Sequence, residues 1–147
     1  MGRIVWTEFE SVVIGSEGTL DVFSLMAAST NKLKVHGWEI NSNSVTAVIL
    51  ALSLRKITTV GSGGATATEV LNDGDDGSIT GSVRVDDTTE GTGVSGIQGY
   101  QWEQLGPLSQ IYTPEMRPVI ELSQGLALHL ITATGFTMSG WICWEEI

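Results

Sequence analysis

The acidic run Asp73-Gly74-Asp75-Asp76-Gly77 is the densest group of chemically active side chains in this sequence. Closely spaced carboxylates with intervening glycines can wrap a hard cation such as calcium. An EF-hand loop that began at Asp73 would need a bidentate Glu at its twelfth position, where this chain has Arg84. The flanking residues also follow an extended pattern rather than a helical one. The sequence therefore predicts an acidic surface loop over residues 72–77 that binds no metal.

The two histidines, His36 and His129, are the next candidates for chemistry. Neither belongs to an H-x-H or H-E-x-x-H cluster, and a cupin-type metal enzyme needs several histidines and a carboxylate around one ion. We therefore expect both histidines to be strand residues that face solvent or a partner.

Nucleophile and phosphate-binding motifs are missing from the sequence. No G-x-S-x-G elbow marks any serine as activated, and the G-x-G-G of residues 61–64 lacks the Lys-Ser/Thr of a P-loop, so it is interpreted as a flexible loop. The single Cys143 has no histidine near it in sequence and is interpreted as an inert packed thiol. We find no catalytic constellation and predict a protein that is not an enzyme and carries no cofactor.

The five tryptophans are the unusual feature that remains. Aromatic side chains on a sheet can stack on sugar rings, and they are enriched at protein interfaces. Trp6 and Trp38 are predicted core residues. Trp141 and Trp144 have opposite parity, so only one of them can face the core of a regular strand. Trp144 continues an apolar series, which leaves Trp141, together with Cys143, as the candidate interface.

The apolar series lies in residues 116–147, where even-numbered positions alternate with polar ones as in half-buried strands. Its members are Ile120, Leu122, Leu126, Leu128, Leu130, Phe136, Met138, Ile142 and Trp144. Breaks at 123–125 and 134–135 contain glycine and suit hairpins. Pro118 suits a strand start or a sheet edge. The pattern predicts a three-stranded meander whose apolar face is covered by a second sheet from upstream.

The sequence pattern also predicts strands in the segments upstream of residue 116. They cover residues 1–14, 19–27, 32–40, 45–57, 65–71, 79–85 and 97–102. Residues 45–57 satisfy both a helical and a strand period, but their neighbours favour an interior strand. Gly37 is expected to shift the register of its strand, and residues 105–115 are expected to cross between sheets. About nine or ten strands without a convincing helix indicate an all-β, jelly-roll-like antiparallel β-sandwich, formed as one domain over residues 1–147. The long connections at 58–78 and 86–96 favour a jelly roll or Greek key over an up-and-down barrel. The loops at 72–77 and 86–96 are interpreted as surface excursions at one end of the sheets.

Charge and hydropathy exclude several classes of protein. Acidic residues outnumber basic ones by 17 to 7, which argues against binding to bare nucleic acid, since phosphate contacts need clustered Lys and Arg. The longest apolar run, residues 45–54, is too short to span a membrane, and the N-terminus has no signal-peptide pattern. A single cysteine cannot form an internal disulfide.

Several short motifs follow one another in a definite order along nearly the whole chain. These are K-x-x-V-H-G-W-E-I at 32–40, an apolar strand ending in Arg55, the loop at 71–77, V-R-V at 83–85, P-E-x-R-P-x-I at 114–120, S-x-G-x-A-L-x-L at 123–130 and a final G-x-I-x-W-E-E strand at 140–146. This order resembles small all-β virion proteins of tailed bacteriophages that decorate or cement the capsid.

The resemblance implies a jelly-roll-like sandwich, often trimeric, with a structural role and no ligand or catalytic residue to carry over. It implies a homo-oligomer on the capsid surface of the virion, made in the host cytoplasm and bound to the major capsid protein or another virion protein. The alternative from another class is a carbohydrate-binding β-sandwich, such as a lectin-like or tail-associated receptor-binding module. That alternative would account for the tryptophans and the acidic loop.

Overall fold

Two antiparallel sheets of six strands each pack face to face in the computed structural model, which describes residues 2–16, 18, 20–72, 78–93 and 95–147. Sheet A contains β1 (Arg3–Ile14), β3 (Leu33–Ser42), β6 (Glu69–Leu71), β9 (Leu108–Ile111), β10 (Val119–Ile120) and β12 (Phe136–Glu146). Sheet B contains β2 (Leu20–Met26), β4 (Ile49–Ile57), β5 (Ala65–Ala67), β7 (Ser82–Asp87), β8 (Ser95–Glu103) and β11 (Gly125–Leu130). The described residues add only one short 3₁₀ turn, Pro114–Met116.

The pairing of the strands is that of a jelly roll. β1 pairs with β12, β2 with β11, β3 with β9 and β10, and β4 with β8. The first part of the chain thus pairs in reverse order with the last part, and the doubled chain wraps into two sheets. β5, β6 and β7 are inserted between β4 and β8 and extend the edges beside β1 and β2. The predicted all-β, jelly-roll-like sandwich is confirmed.

The predicted C-terminal apolar face is confirmed residue by residue, except at Leu122. Leu126, Leu128, Leu130 and Trp144 are fully buried. Leu122 is 43% exposed because it lies in the turn between β10 and β11, where strand alternation no longer directs its side chain.

The predicted three-stranded meander is wrong. β10 and β12 lie in sheet A with β3 between them, whereas β11 lies in sheet B between β2 and β4. Both sheets turn their inner faces toward one core, so residues of the same parity are buried whichever sheet carries them. Burial periodicity therefore shows which side of a strand faces inward and leaves the strand's neighbours undetermined.

β3 contains the register shift predicted at Gly37. Cys143 of β12 lies opposite Gly37 and Trp144 lies opposite Val35, which leaves His36 as an extra residue in β3. This β-bulge reverses the parity of the strand. Trp38 is consequently buried on the same side as Val35, as predicted for a core tryptophan.

The strand predicted over residues 45–57 is confirmed only from Ile49 onward. β4 lies between β11 and β8, but Val45 is 94% exposed. The Ser44 N–H donates to the Ser42 Oγ and the Thr46 N–H donates to the Ser44 Oγ, each at 3.1 Å. Serine side chains thus satisfy backbone donors before β4 can begin.

Residues 61–64 were expected to be a flexible loop and residues 86–96 a surface excursion, but the structure shows that residues 58–64 pair with residues 88–93. Bridges join Thr59 to Thr92 and Ser62 to Thr89. The Gly64 N–H also donates to the Asp87 Oδ1 at 3.1 Å. Several backbone N–H groups of these glycine-rich segments therefore donate to carbonyl or carboxylate oxygens of the opposite segment. The sequence pattern could not show this pairing. The predicted crossing at 105–115 is confirmed, since β8 lies in sheet B and β9 in sheet A.

No described helix has the length and apolar character that a membrane crossing requires.

Candidate interaction surface

Trp6 and Trp141 meet on the outer face of sheet A. On β1, Val5, Thr7 and Phe9 point into the core, so the intervening Trp6 points outward and is 40% exposed. Trp141 of the neighbouring β12 is half-buried, and its ring lies 5.4 Å from that of Trp6 at an angle of 57°. This tilted contact is a favourable aromatic geometry.

The prediction that Trp6 is a core residue is therefore wrong. The signal that could have corrected it is the parity of Phe9, which is odd-numbered and large. A regular strand cannot bury Phe9 and Trp6 on the same side. The structure resolves the conflict by burying Phe9 against Phe23 of sheet B, with ring centroids 5.6 Å apart.

A pocket of about 300 Å³ opens beside the two tryptophans. Its lining residues come from β1, the middle of β3, β12, the end of β9 and the segments after β6 and β9. They are Ile4, Trp6, His36, Gly37, Asn72, Ile111, Tyr112, Arg117, Trp141 and Cys143. The Trp6 Nε1 donates to the Asn72 Oδ1 at 3.0 Å, which fixes one wall. Since a hydrogen bond to Trp6 uses the oxygen of the Asn72 amide, the amide nitrogen remains a donor toward a ligand.

Cys143 is only 3% exposed and lies at the base of this pocket. Its burial raises the pKa of the thiol to about 11, against a smaller opposing influence of the Arg117 charge. A thiol with that pKa is protonated near neutral pH and is a poor nucleophile. The two candidate interface residues thus occupy one site, with Trp141 on its wall and Cys143 beneath it.

Charged groups surround the pocket on the side of β3 and β12. The His36 Nε2 lies 3.2 Å from the Glu145 Oε2 across the two strands. The Arg117 Nε is buried and has no hydrogen-bond partner within the described residues. Burial also raises the pKa of the Tyr112 hydroxyl, which accepts a 3.4 Å hydrogen bond from the Trp38 Nε1. His36 is half-buried and paired, so it is only partly open to solvent.

Apolar side chains continue outward from the pocket. We define the aromatic patch as Ile4, Trp6, Val70, Ile111 and Trp141. Val70 lies opposite Trp6 in the pairing of β6 with β1 and is 61% exposed, and Ile111 is 72% exposed. Contiguous exposed apolar groups of this kind mark binding sites on soluble proteins.

The second histidine lies on the opposite side of the molecule, in the outer layer of sheet B, and it does not face solvent as expected. His129 is 3% exposed. Its Nδ1 lies 3.2 Å from the Asp21 Oδ1 and 3.4 Å from the Glu90 Oε2. The Gly91 N–H donates to the Asp21 Oδ2 at 2.8 Å, so the loop at 88–93 covers both side chains. The sequence could not show this, because a loop distant in sequence provides the cover.

The described residues hold no cluster of three or more His, Cys, Asp or Glu side chains that could bind a metal ion. The acidic loop predicted to bind no metal, residues 73–77, lies outside the described residues.

No known protein family, characterised protein or solved structure shows significant similarity to this chain.

Proposed function

We propose that this chain is a structural protein of a tailed-bacteriophage virion, a capsid decoration or cement protein that binds the capsid surface through its aromatic patch. The observation that carries the proposal is the partly exposed Trp6–Trp141 pair beside a pocket on the outer face of sheet A. Tryptophan is the residue most enriched among the side chains that dominate binding energy at protein interfaces. The order of sequence motifs supplies the virion context.

The polar groups beside the aromatic patch suit a protein partner. Arg117 and the His36–Glu145 pair lie next to apolar side chains, which is the arrangement of an apolar interface centre with a polar rim. The half-buried Arg117 side chain lines the pocket and carries a positive charge there. A carboxylate or carbonyl of a bound partner would pair with this guanidinium.

The net charge of −10 favours docking on a basic surface. Charge of one sign steers association and makes its rate sensitive to salt. We therefore propose the major capsid protein, or another virion protein with a basic outer surface, as the partner. The same proposal includes a closed homo-oligomer, which the resemblance described above implies to be a trimer.

The test is decoration of purified capsids by the purified protein. Trp141→Ala should weaken binding about thirtyfold or more, since interface tryptophans that dominate binding cost about 2 kcal/mol or more when truncated. Val45→Ala is the matched control, because Val45 is 94% exposed and lies away from the aromatic patch. Imaging of the particle should show the density of this protein on the capsid surface. Normal decoration by Trp141→Ala, or density on the tail alone, would contradict the proposal.

Carbohydrate binding is the second candidate, and the pocket itself favours it. The Trp6 and Trp141 rings form an aromatic wall beside the Asn72 amide and Arg117, and sugars are bound by aromatic faces together with a few polar groups. A glycan array separates the two candidates. Selective glycan binding that is lost in both Trp6→Ala and Asn72→Ala, without capsid binding, would establish carbohydrate recognition in place of decoration.

A further inference from the structure

Strand β8 (Ser95–Glu103) is the free edge of sheet B. It pairs with β4 on one side, and within the described residues no strand lies on its other side. Its sequence, SGIQGYQWE, has no Lys and no Pro, and Glu103 at its end is its only charge. Natural proteins usually protect long edge strands with lysine, proline or a covering loop. A nine-residue edge without such protection is a template for another strand.

The backbone of β4 shows which groups of β8 face this edge. The Ala51 N–H donates to the Thr132 Oγ1 at 2.8 Å, and the Ala51 carbonyl accepts from the Ile131 N–H at 2.9 Å. Both groups therefore point toward β11 and away from β8. In an antiparallel ladder, directly opposed residues either bond each other or both point away. Gln101, which lies opposite Ala51, consequently directs its N–H and carbonyl to the free edge.

Gly99 has the same orientation as Gln101, because backbone direction repeats every two residues. It lies opposite Ser53, which is two residues from Ala51. Gly99 is exposed, and a Cβ placed on it would have no atom within 4 Å. Both the backbone groups and the space beside them are thus available to a second strand.

We propose that β8 is a self-association site that pairs antiparallel with β8 of a second copy of this chain. The register places Gly99 opposite Gln101 of the second copy and Gln101 opposite its Gly99, around a two-fold axis at Tyr100. Each of these pairs can exchange two backbone hydrogen bonds, about four in total. A two-fold axis gives both copies the same contact and closes the assembly.

The charges along β8 allow its occupant to be a second copy of this acidic chain. Two chains of net charge −10 repel wherever acidic surfaces meet. In the proposed register, Glu103 lies opposite Ile97 of the second copy, so no like charges face each other across the ladder. β8 is therefore an edge along which two copies can meet without opposing carboxylates.

The aromatic patch lies on the other sheet, where its residue Ile111 borders a groove that Ile97 and Gln98 of β8 also line. A three-fold assembly cannot pair β8 with itself, so a trimer would be built on a different contact. Pairing through β8 joins two copies of the smaller assembly. It gives a dimer if the chain is otherwise a monomer, and a hexamer if the chain otherwise forms trimers.

The test compares the masses of two double variants by sedimentation at micromolar concentration. Gly99→Lys with Gln101→Lys places like charges opposite each other in both pairs, and it should halve the mass of the assembly. Gly99→Lys with Gln101→Glu is the matched control, because opposite charges then face each other and the wild-type mass should be kept. Each variant should retain the β-type circular dichroism of the wild type.

Gln101→Pro is the second variant. Proline is tolerated on an edge strand where the N–H faces outward, so the fold should survive while one outward donor of each copy is lost. It too should halve the mass. A wild type that sediments as a monomer, or a mass that is the same in the wild type and the Lys/Lys variant, would overturn the proposal.

Discussion

The outer face of sheet A carries two partly exposed tryptophans beside an open pocket, whereas on the outer face of sheet B the loop at 88–93 covers the buried His129 and Asp21. On sheet B, Glu90 and Gly91 reach back to His129 and Asp21 and satisfy their buried polar groups. On sheet A, the Arg117 Nε is buried without a partner among the described residues, and Trp6 is 40% exposed. The loop at 88–93 thus covers part of the outer face of sheet B, whereas the aromatic patch of sheet A stays partly open and is the surface through which we propose that the protein binds.

The largest expected effect separates the two sides of β12. Trp144 is fully buried in the core, so Trp144→Ala should lower the free energy of unfolding by about 3–5 kcal/mol. Trp141 lies three residues earlier, on the outer face of the sheet. Trp141→Ala should lower the free energy of unfolding by less than about 1 kcal/mol. Urea unfolding followed by circular dichroism measures both. Equal losses would show that the outer face of sheet A is as tightly packed as the core.

The next effect tests the covered face of sheet B. Asp21→Ala removes the acceptor of both His129 and the Gly91 N–H in a buried site, and it should destabilise the fold by about 2–3 kcal/mol. The control is Glu8→Ala, which removes an exposed carboxylate from the open face and should change stability by less than about 0.5 kcal/mol. If both variants unfold at the same urea concentration, the loop at 88–93 does not depend on Asp21.

The pocket of sheet A can be tested through its thiol. Burial raises the pKa of Cys143 from 9.0 to about 11, so below pH 9 the thiolate population is about 100-fold smaller than that of an unshifted thiol. Alkylation by iodoacetamide should be slower by at least this factor in the native protein than in urea, and its rate should rise as pH approaches 11. Rapid native alkylation at pH 7 would show that the base of the pocket is open to water.

No effect is expected at the acidic loop that follows Asn72. Asp73→Asn with Asp75→Asn should leave the melting temperature unchanged, with or without calcium, because the spacing of these carboxylates does not match an EF-hand. A calcium-dependent rise in melting temperature that the double variant abolishes would reveal a metal site, since ligands of the native state stabilise it by mass action. Such a site would also lie next in sequence to the Asn72 wall of the pocket.

Strand content and side-chain direction could be predicted from the sequence because both depend on local alternation. Leu126, Leu128, Leu130 and Trp144 are buried as their parity predicts, and Gly37 marks the bulge in β3. The same local rule was misapplied at Trp6, where size was given more weight than the parity of Phe9. That error could have been corrected from the sequence.

Burial that is caused by distant residues could not be predicted in this way. His129 is polar and occupies an outward position of β11, and local rules place such a residue in solvent. It is buried because residues 88–93 fold over it and supply Glu90 and Gly91. The sharing of one pocket by Trp141, Cys143 and Arg117 has the same origin, since Arg117 lies in the segment that follows β9 and the 3₁₀ turn.

The sequence by itself determined that this chain is a β-sandwich and which side of most strands faces the core, because a period of two and the turn residues act within a few positions of each other. Only the tertiary structure decided which sheet each strand joins, which outer face is covered and which edge is free. Those outcomes depend on pairings such as β1 with β12 and β4 with β8, which join residues far apart in sequence. No local pattern distinguishes one such partner from another, because every inward face is apolar and every strand offers the same backbone groups.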